Sequence, residues 1–323
     1  MKFKNLGRSG LSVSRLCLGT MNFGPETDEA TSGSIMDSAI EHGVNFFDTA
    51  NRYGGLGHWG RTEEIVGRWF QKGGGRREKV VLATKLYGEM DAWPNNSGVS
   101  ALNIRRACDA SLKRMQTDYI DLYQMHHIDR NTPWDEVWQA MEVLVAQGKI
   151  LYVGSSNFGG WHLAQAQAAA APRHFIGLIS EQSIYNLVVR DIEREVIPAA
   201  QHYGIGILPW SPLNGGLLGG VLKKERDGSR RLEGRSKEAL ESIRPSIEAY
   251  ENFCESIGQE PGDVGLAWLL AQPAVTAPIV GPRTQEQFDS AIRALNLELT
   301  AENLTSLDEI FPRFKTSPED YAW

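Results

Sequence analysis

Three cysteines in 323 residues, Cys17, Cys108 and Cys254, are too few and too scattered for a disulfide framework or a zinc site. No block of lysine or arginine stands out. The 33 basic residues face 40 acidic ones, and the formal net charge of −7 argues against a DNA or RNA partner. The first residues, Met1 to Arg8, are charged and poor in apolar side chains, and no apolar run is long enough to span a bilayer. The expectations are therefore no signal peptide, no membrane partner and a cytoplasmic location. What remains is an ordinary globular composition, in a chain long enough to bury a large core.

The chain then alternates. Phe3–Asn5 and Val13–Ser14 flank Leu-Gly-Arg-Ser-Gly as a small hairpin. Short apolar strands are predicted at 15–18, 46–48, 79–84, 119–125, 151–154, 176–180, 206–209 and 277–280. Helices are predicted between them, at 31–41, 63–70, 99–115, 133–147, 161–171, 192–203 and 284–295, with Pro172 stopping the fifth. A polar, glycine-rich insert covers 214–235, followed by helices near 237–257 and 263–271 and a helical tail at 300–310. Strict alternation means parallel strands joined by right-handed crossovers. Roughly eight strand–helix pairs fit a (β/α)8 TIM barrel with an N-terminal hairpin and extended strand-end loops, and a doubly wound sheet is the runner-up. No linker divides residues 1–323, so one domain is expected.

Gly55-Leu56-Gly57-His58-Trp59-Gly60 matches the dinucleotide fingerprint G-x-G-x-x-G literally. The fingerprint should follow a strand directly, with an acid ending the next strand. Here the strand ends at Asp48 and the next one delivers Lys85, so coincidence in a glycine-rich loop is the better reading. Gly73-Gly74-Gly75 reads as a plain connector.

The strand ends carry the chemistry. Asp48, Lys85 and His126 end the second, third and fourth strands, with Tyr53 on the loop after the second. In a barrel all four project from the face where active sites lie. A free phenol, with a pKa of about 10, is a poor acid at neutral pH. A neighbouring ammonium, held and kept charged by Asp48, would stabilise the phenolate and lower that pKa. His126 would donate a hydrogen bond to a carbonyl oxygen, and Tyr53 would protonate the alkoxide as it forms. Such a site reduces a small-molecule carbonyl but holds no hydride source, so it needs a cofactor.

With Gly19-Thr20, Phe47-Asp-Thr-Ala50 and Tyr53, Thr84-Lys85, Asp121-Leu-Tyr-Gln-Met-His126, Gly154-Ser-Ser-Asn157 and Gly281-Pro-Arg283 in order, the chain resembles the aldo-keto reductases, closest to their bacterial and potassium-channel-β-subunit branch. The resemblance implies a (β/α)8 barrel, NADPH bound without a Rossmann domain, and a tetrad of Asp48, Tyr53, Lys85 and His126. His127 is the rival for the last role, but strand alternation points it to the opposite face.

The resemblance also implies that Gly19, Thr20 and Asp48 lie at the cofactor. Ser156, Asn157 and Gln182 would hold its carboxamide, and Trp210 would stack on the nicotinamide where the family usually has tyrosine. Ser211, Leu213 and Gly215 would begin the loop over the pyrophosphate. Gly281, Arg283, Thr284 and Gln287 would hold the 2′-phosphate of NADP(H), although Ala291 stands where the family often has asparagine. Phe23, Trp59, Tyr87, Met90 and Trp93, with Tyr53 and His126, form the expected aromatic-rimmed substrate pocket. Monomer and homo-oligomer are equally open. A nucleotide-holding regulatory module is the alternative to an enzyme.

Overall fold

The computed structural model describes residues 1–226 and 234–322, with backbone only for 234–236. Strands β1 (Phe3–Asn5) and β2 (Ser12–Ser14) pair antiparallel. Eight strands then form one parallel sheet: β3 (Cys17–Gly19), β4 (Phe46–Asp48), β5 (Val81–Leu86), β6 (Ile120–Met125), β7 (Ile150–Ser156), β8 (Leu178–Ile184), β9 (Gly206–Trp210) and β10 (Ile279–Val280). The ladder runs β10-β3-β4-β5-β6-β7-β8-β9. Its two edges meet where the Ile207 N–H donates to the Ala274 carbonyl at 3.2 Å and the Thr276 N–H donates to the Ile207 carbonyl at 2.8 Å. The sheet therefore closes into a (β/α)8 barrel.

Helices α1 (Glu29–Glu41), α2 (Arg61–Phe70), α3 (Ala101–Met115), α4 (Trp134–Ala146), α5 (Gly160–Ala170) and α6 (Val196–Tyr203) supply the crossovers from β3 to β9, and α10 (Gln285–Ala294) follows β10. Their start signals are side-chain oxygens: Asp28, Ser100 and Thr284 each accept from a backbone N–H in the first turn of α1, α3 and α10. The connection from β9 to β10 carries α7 (Val221–Arg226), α8 (Gly234–Ser256) and α9 (Pro261–Ala271), and α11 (Ala301–Ile310) follows α10. Among the described residues no helix is long and apolar enough to cross a membrane.

Several boundaries differ from the sequence expectation. The helix expected at 192–203 is a 3-10 turn, Asp191–Glu193, followed by α6. Pro198 explains the break, because proline lacks an N–H and is tolerated only in a first turn. A 3-10 turn at Ala171–Arg173 carries the chain past Pro172. The insert expected at 214–235 contains a 3-10 turn, Asn214–Gly216, and α7, while 227–233 lies outside the described residues. Lys85 lies inside β5 rather than beyond it.

Two cores result. The larger lies between sheet and helices and includes Trp69, Trp138 and Phe288. The smaller fills the barrel and includes Leu6, Val13, Phe46, Leu122, Ile179 and Leu208. The hairpin thus plugs one end of the barrel and leaves the other, the carboxyl ends of the strands, for a site.

Candidate active site

Strand alternation builds the site. Phe46 faces the barrel interior, so Asp48, two residues on, faces the same way. The same step leads from Ala83 to Lys85 on β5, from Leu122 to Gln124 on β6 and from Leu208 to Trp210 on β9. On β8 a register shift opposite Val153 and Gly154 changes the phase, so both Ile179 and Gln182 face inward. A polar layer therefore sits on an apolar one.

Asp48 is its hub. Oδ2 accepts from Lys85 Nζ at 2.5 Å, and Oδ1 accepts from Gln124 Nε2 at 2.9 Å and Gln182 Nε2 at 3.0 Å. Lys85 Nζ also donates to the Thr49 carbonyl at 3.0 Å and to the Tyr53 hydroxyl at 3.1 Å, so all three ammonium protons have acceptors. Lys85 is wholly buried. Burial pulls its pKa down, but the charges of Asp48 and Tyr53, with hydrogen bonds to both, hold it above the usual lysine value.

For Tyr53 the expected downward pull of Lys85 is present but outweighed. Burial raises its pKa most, Lys85 pulls it down and Asp48 pushes it up again, so the net direction is upward. The ammonium acts in the expected sense, but burial outweighs it and Asp48 adds to the burial. The phenol keeps its proton at neutral pH.

The His126 backbone N–H donates to the Leu86 carbonyl at 2.9 Å, just past β6. Its ring meets Tyr53 edge-on at 6.0 Å between centroids and stacks on His127 at 5.0 Å with 5° between planes. Burial first, then the charges of Lys85, His127 and Arg52, pushes the His126 pKa down to about 3. The ring is therefore neutral across the physiological range, with one N–H to donate. His127 is exposed and lies edge-on to Tyr87.

The expected cofactor residues line an arc from β7 to α10 and back to β3. The Thr20 hydroxyl donates to the Asp48 carbonyl at 2.9 Å, and Gly19 pairs in register with Asp48. Asn157 Nδ2 donates to the carbonyl of His126 at 3.1 Å and to Ser156 Oγ at 3.0 Å, while its Oδ1 accepts from the Trp210 indole at 3.1 Å. Gln182 Oε1 has no protein donor among the described residues. Ser211 Oγ accepts from the Gly215 N–H at 3.1 Å, and Leu213 packs partly buried against the outer core. Gly281 lies beside Asn22, whose Nδ2 donates to its carbonyl at 2.7 Å. Thr284 caps α10, Gln287 Oε1 accepts from the Arg283 N–H at 2.8 Å, and the exposed Arg283 side chain comes no nearer a carboxylate than 3.9 Å from Glu26. Ala291 is buried on the inner side of α10.

Of the expected pocket residues, Trp59, Tyr87 and Met90 are half-buried on the loops after β4 and β5, and Trp93 is 74% exposed. Phe23 is a correction: its side chain is wholly buried in the outer core and reaches no pocket surface.

Two residues of the site escaped the sequence reading. Gln124 lies on β6, two positions before His126, which was the signal available. Glu181 sits behind Gln182 on the other face of β8, wholly buried. It accepts from the hydroxyls of Ser155 and Ser183 and from the Phe158 N–H, so it ties β8 to the turn carrying Asn157. Burial raises its carboxyl to about 7.

Fold and site together define a (β/α)8-barrel protein with a buried Asp48–Lys85–Tyr53 hydrogen-bonded chain at the carboxyl ends of its strands. The chain belongs to the aldo/keto reductase family, which it matches over residues 15–311. It is 52% identical to the uncharacterized oxidoreductase YrpG of Bacillus subtilis, across all of both chains. It is 32% identical to versiconal hemiacetal acetate reductase of Aspergillus parasiticus, over 96% of each chain. It is 31% identical to a probable voltage-gated potassium channel subunit beta of Arabidopsis thaliana, over 99% of this chain and all of that one. By class the chain is an oxidoreductase of the carbonyl-reducing, NAD(P)H-using kind.

Proposed function

We propose that the protein is an NADPH-dependent reductase of aldehydes or ketones, with Tyr53 as general acid assisted by Lys85, Asp48 and His126. The observation that carries this reading is the continuous chain Asp48–Lys85–Tyr53, with hydrogen bonds of 2.5 and 3.1 Å, beside a neutral His126. The residues present suit the cofactor. Gln182 Oε1 has spare acceptor capacity for a carboxamide, Trp210 offers a half-exposed indole face, and the exposed Arg283, in only a long 3.9 Å ion pair with Glu26, stands at the N-terminal end of α10 for a phosphate. When bound, NADPH supplies a hydride to the carbonyl carbon.

The chain's own residues handle the oxygen. The neutral His126 N–H orients the carbonyl oxygen and stabilises negative charge as it grows there. Tyr53 passes its proton to that oxygen, and Lys85 stabilises the phenolate that remains. Asp48, anchored by Gln124 and Gln182, fixes the ammonium in place. Since the ring of His126 stays uncharged, it cannot compete with Tyr53 as the acid.

Tyr53→Phe keeps the ring and removes the proton. Reduction of an aldehyde panel, followed by NADPH consumption, should fall about 10²–10⁴-fold while NADPH affinity changes little. A Phe variant with wild-type turnover would sink the role. Channel-subunit relatives favour a second reading, a nucleotide-holding regulatory module. That reading gains if wild type binds NADPH yet reduces no carbonyl in the panel.

A further inference from the structure

Arg52 stands immediately before Tyr53 in the chain and on the same loop, yet the chemistry above gives it no task. Its side chain is exposed, and no carboxylate or carbonyl partners its guanidinium among the described residues. Other arginines of the chain, such as Arg76, Arg77, Arg114, Arg173 and Arg190, pair with carboxylates, and what sets Arg52 apart from the remaining unpaired ones is its position on the loop that carries Tyr53. Arg52 is nevertheless held. Its stem crosses Gly88 of the loop after β5, where a Cβ would fall 2.5 Å from Arg52 Cδ, so the glycine lets the stem lie in this position. Its guanidinium carbon lies 4.8 Å from the centroid of the Trp59 ring. The charge is also near enough to contribute to the low pKa of His126. Around it the mouth is aromatic and apolar, with Trp59, Tyr87 and Met90 half-buried.

A planar fork of donors, stacked on Trp59, left without an acceptor and carried by the residue next to Tyr53 in the chain, matches a carboxylate or phosphate group. Because the stem and the stacked head are already ordered, an incoming anion costs less side-chain entropy than it would at a free arginine. We infer that Arg52 is a substrate-anion site, and that the preferred substrates are carbonyl compounds bearing a carboxylate or phosphate close to the reacting carbonyl. This rests on the reading that the carbonyl is reduced at Tyr53. The anion would lie on the Arg52 guanidinium while the carbonyl oxygen meets Tyr53 and His126.

The test compares ω-oxo acids of increasing chain length with their methyl esters, and one aldehyde phosphate monoester with its free alcohol, in wild type, Arg52→Gln and Arg52→Lys. The readout is the ratio of kcat/KM for the anionic compound to that of its neutral partner. In wild type the best-fitting acid or phosphate should be preferred roughly 10- to 100-fold, as for a hydrogen bond to a charged group. Arg52→Gln should bring the ratio near one, Arg52→Lys should restore part of it, and added salt should erode the wild-type preference. The carboxylate and phosphate arms decide which anion is favoured. Wild-type ratios near one in both arms, or a ratio that Arg52→Gln does not move, overturn the proposal while leaving the reductase reading intact. A wild type that reduces neither anionic nor neutral compounds overturns the reductase reading, and this inference with it.

Discussion

Lys85 is a lysine that burial should neutralise, kept charged by neighbours that need its charge. Without Asp48 the ammonium would lose the largest interaction that offsets its burial, and without Lys85 the carboxylate would be a buried charge held only by two amides. Lys85→Met should therefore act on Tyr53 in a definite direction. The downward pull on the phenol disappears, while burial and Asp48 still push it up. With Tyr53 in the proposed role, alcohol oxidation requires the phenolate as base, so its rate should rise with pH through the Tyr53 pKa. In the Met variant that rising limb should lie at higher pH, with the rate at neutral pH falling by about 10²-fold or more. The position of the limb is the decisive readout, because loss of folded protein lowers the whole profile without moving it. An unshifted limb would mean that Lys85 and Tyr53 are not coupled.

At the scale of elements, what could be read from the sequence depended on how local its cause was. The strands were legible because each is a short apolar run, and Asp48, Lys85 and His126 were legible because a titratable residue at the end of such a run is unusual. Gln124 and Glu181 were not, since a buried amide or acid inside a strand gains its meaning only from partners on other strands. Phe23 was misplaced for a related reason: an aromatic on a loop can face the mouth or the core, and the chain alone does not say which. The end of α10 was legible, with Thr284 as its cap. This gives a prediction about cofactor choice. Arg283 and the first-turn N–H groups of α10 present positive charge in one place. Hydrogen bonds to charged groups contribute roughly 1.5–3 kcal/mol, so Arg283→Ala should weaken NADPH binding about tenfold to a hundredfold. NADH, which lacks the 2′-phosphate, should bind almost as before. Fluorescence titration of both cofactors decides, and equal weakening of the two would remove the 2′-phosphate role.

At the scale of the molecule, the barrel separates what holds it together from what it does. The end opposite the tetrad is sealed by the hairpin. Leu6 and Val13 are wholly buried in the inner core with Phe46, Leu122, Ile179 and Leu208. The turn after β1 locks onto the barrel rim. Arg8 donates its N–H to the Gly204 carbonyl at 2.7 Å, and Gly7, with φ of 56°, lies where a Cβ would collide with the carbonyls of Ile179 and Gly204. Leu6 therefore acts as a stopper whose removal leaves a void between strands from both sides of the barrel. Truncating a buried leucine costs about 2–5 kcal/mol, and more where the surroundings cannot collapse, as between closed strands. Leu6→Ala should lower the urea-unfolding free energy by that amount, with the slope against denaturant unchanged. The polar layer of Asp48, Gln124 and Gln182 lies beyond the apolar one, so turnover per folded molecule in Leu6→Ala should stay close to wild type. A loss of stability below about 1 kcal/mol, beneath the range for buried leucine, would mean that the hairpin is an ornament on a barrel already complete. A stable variant with depressed turnover would mean instead that the plug and the tetrad are mechanically linked.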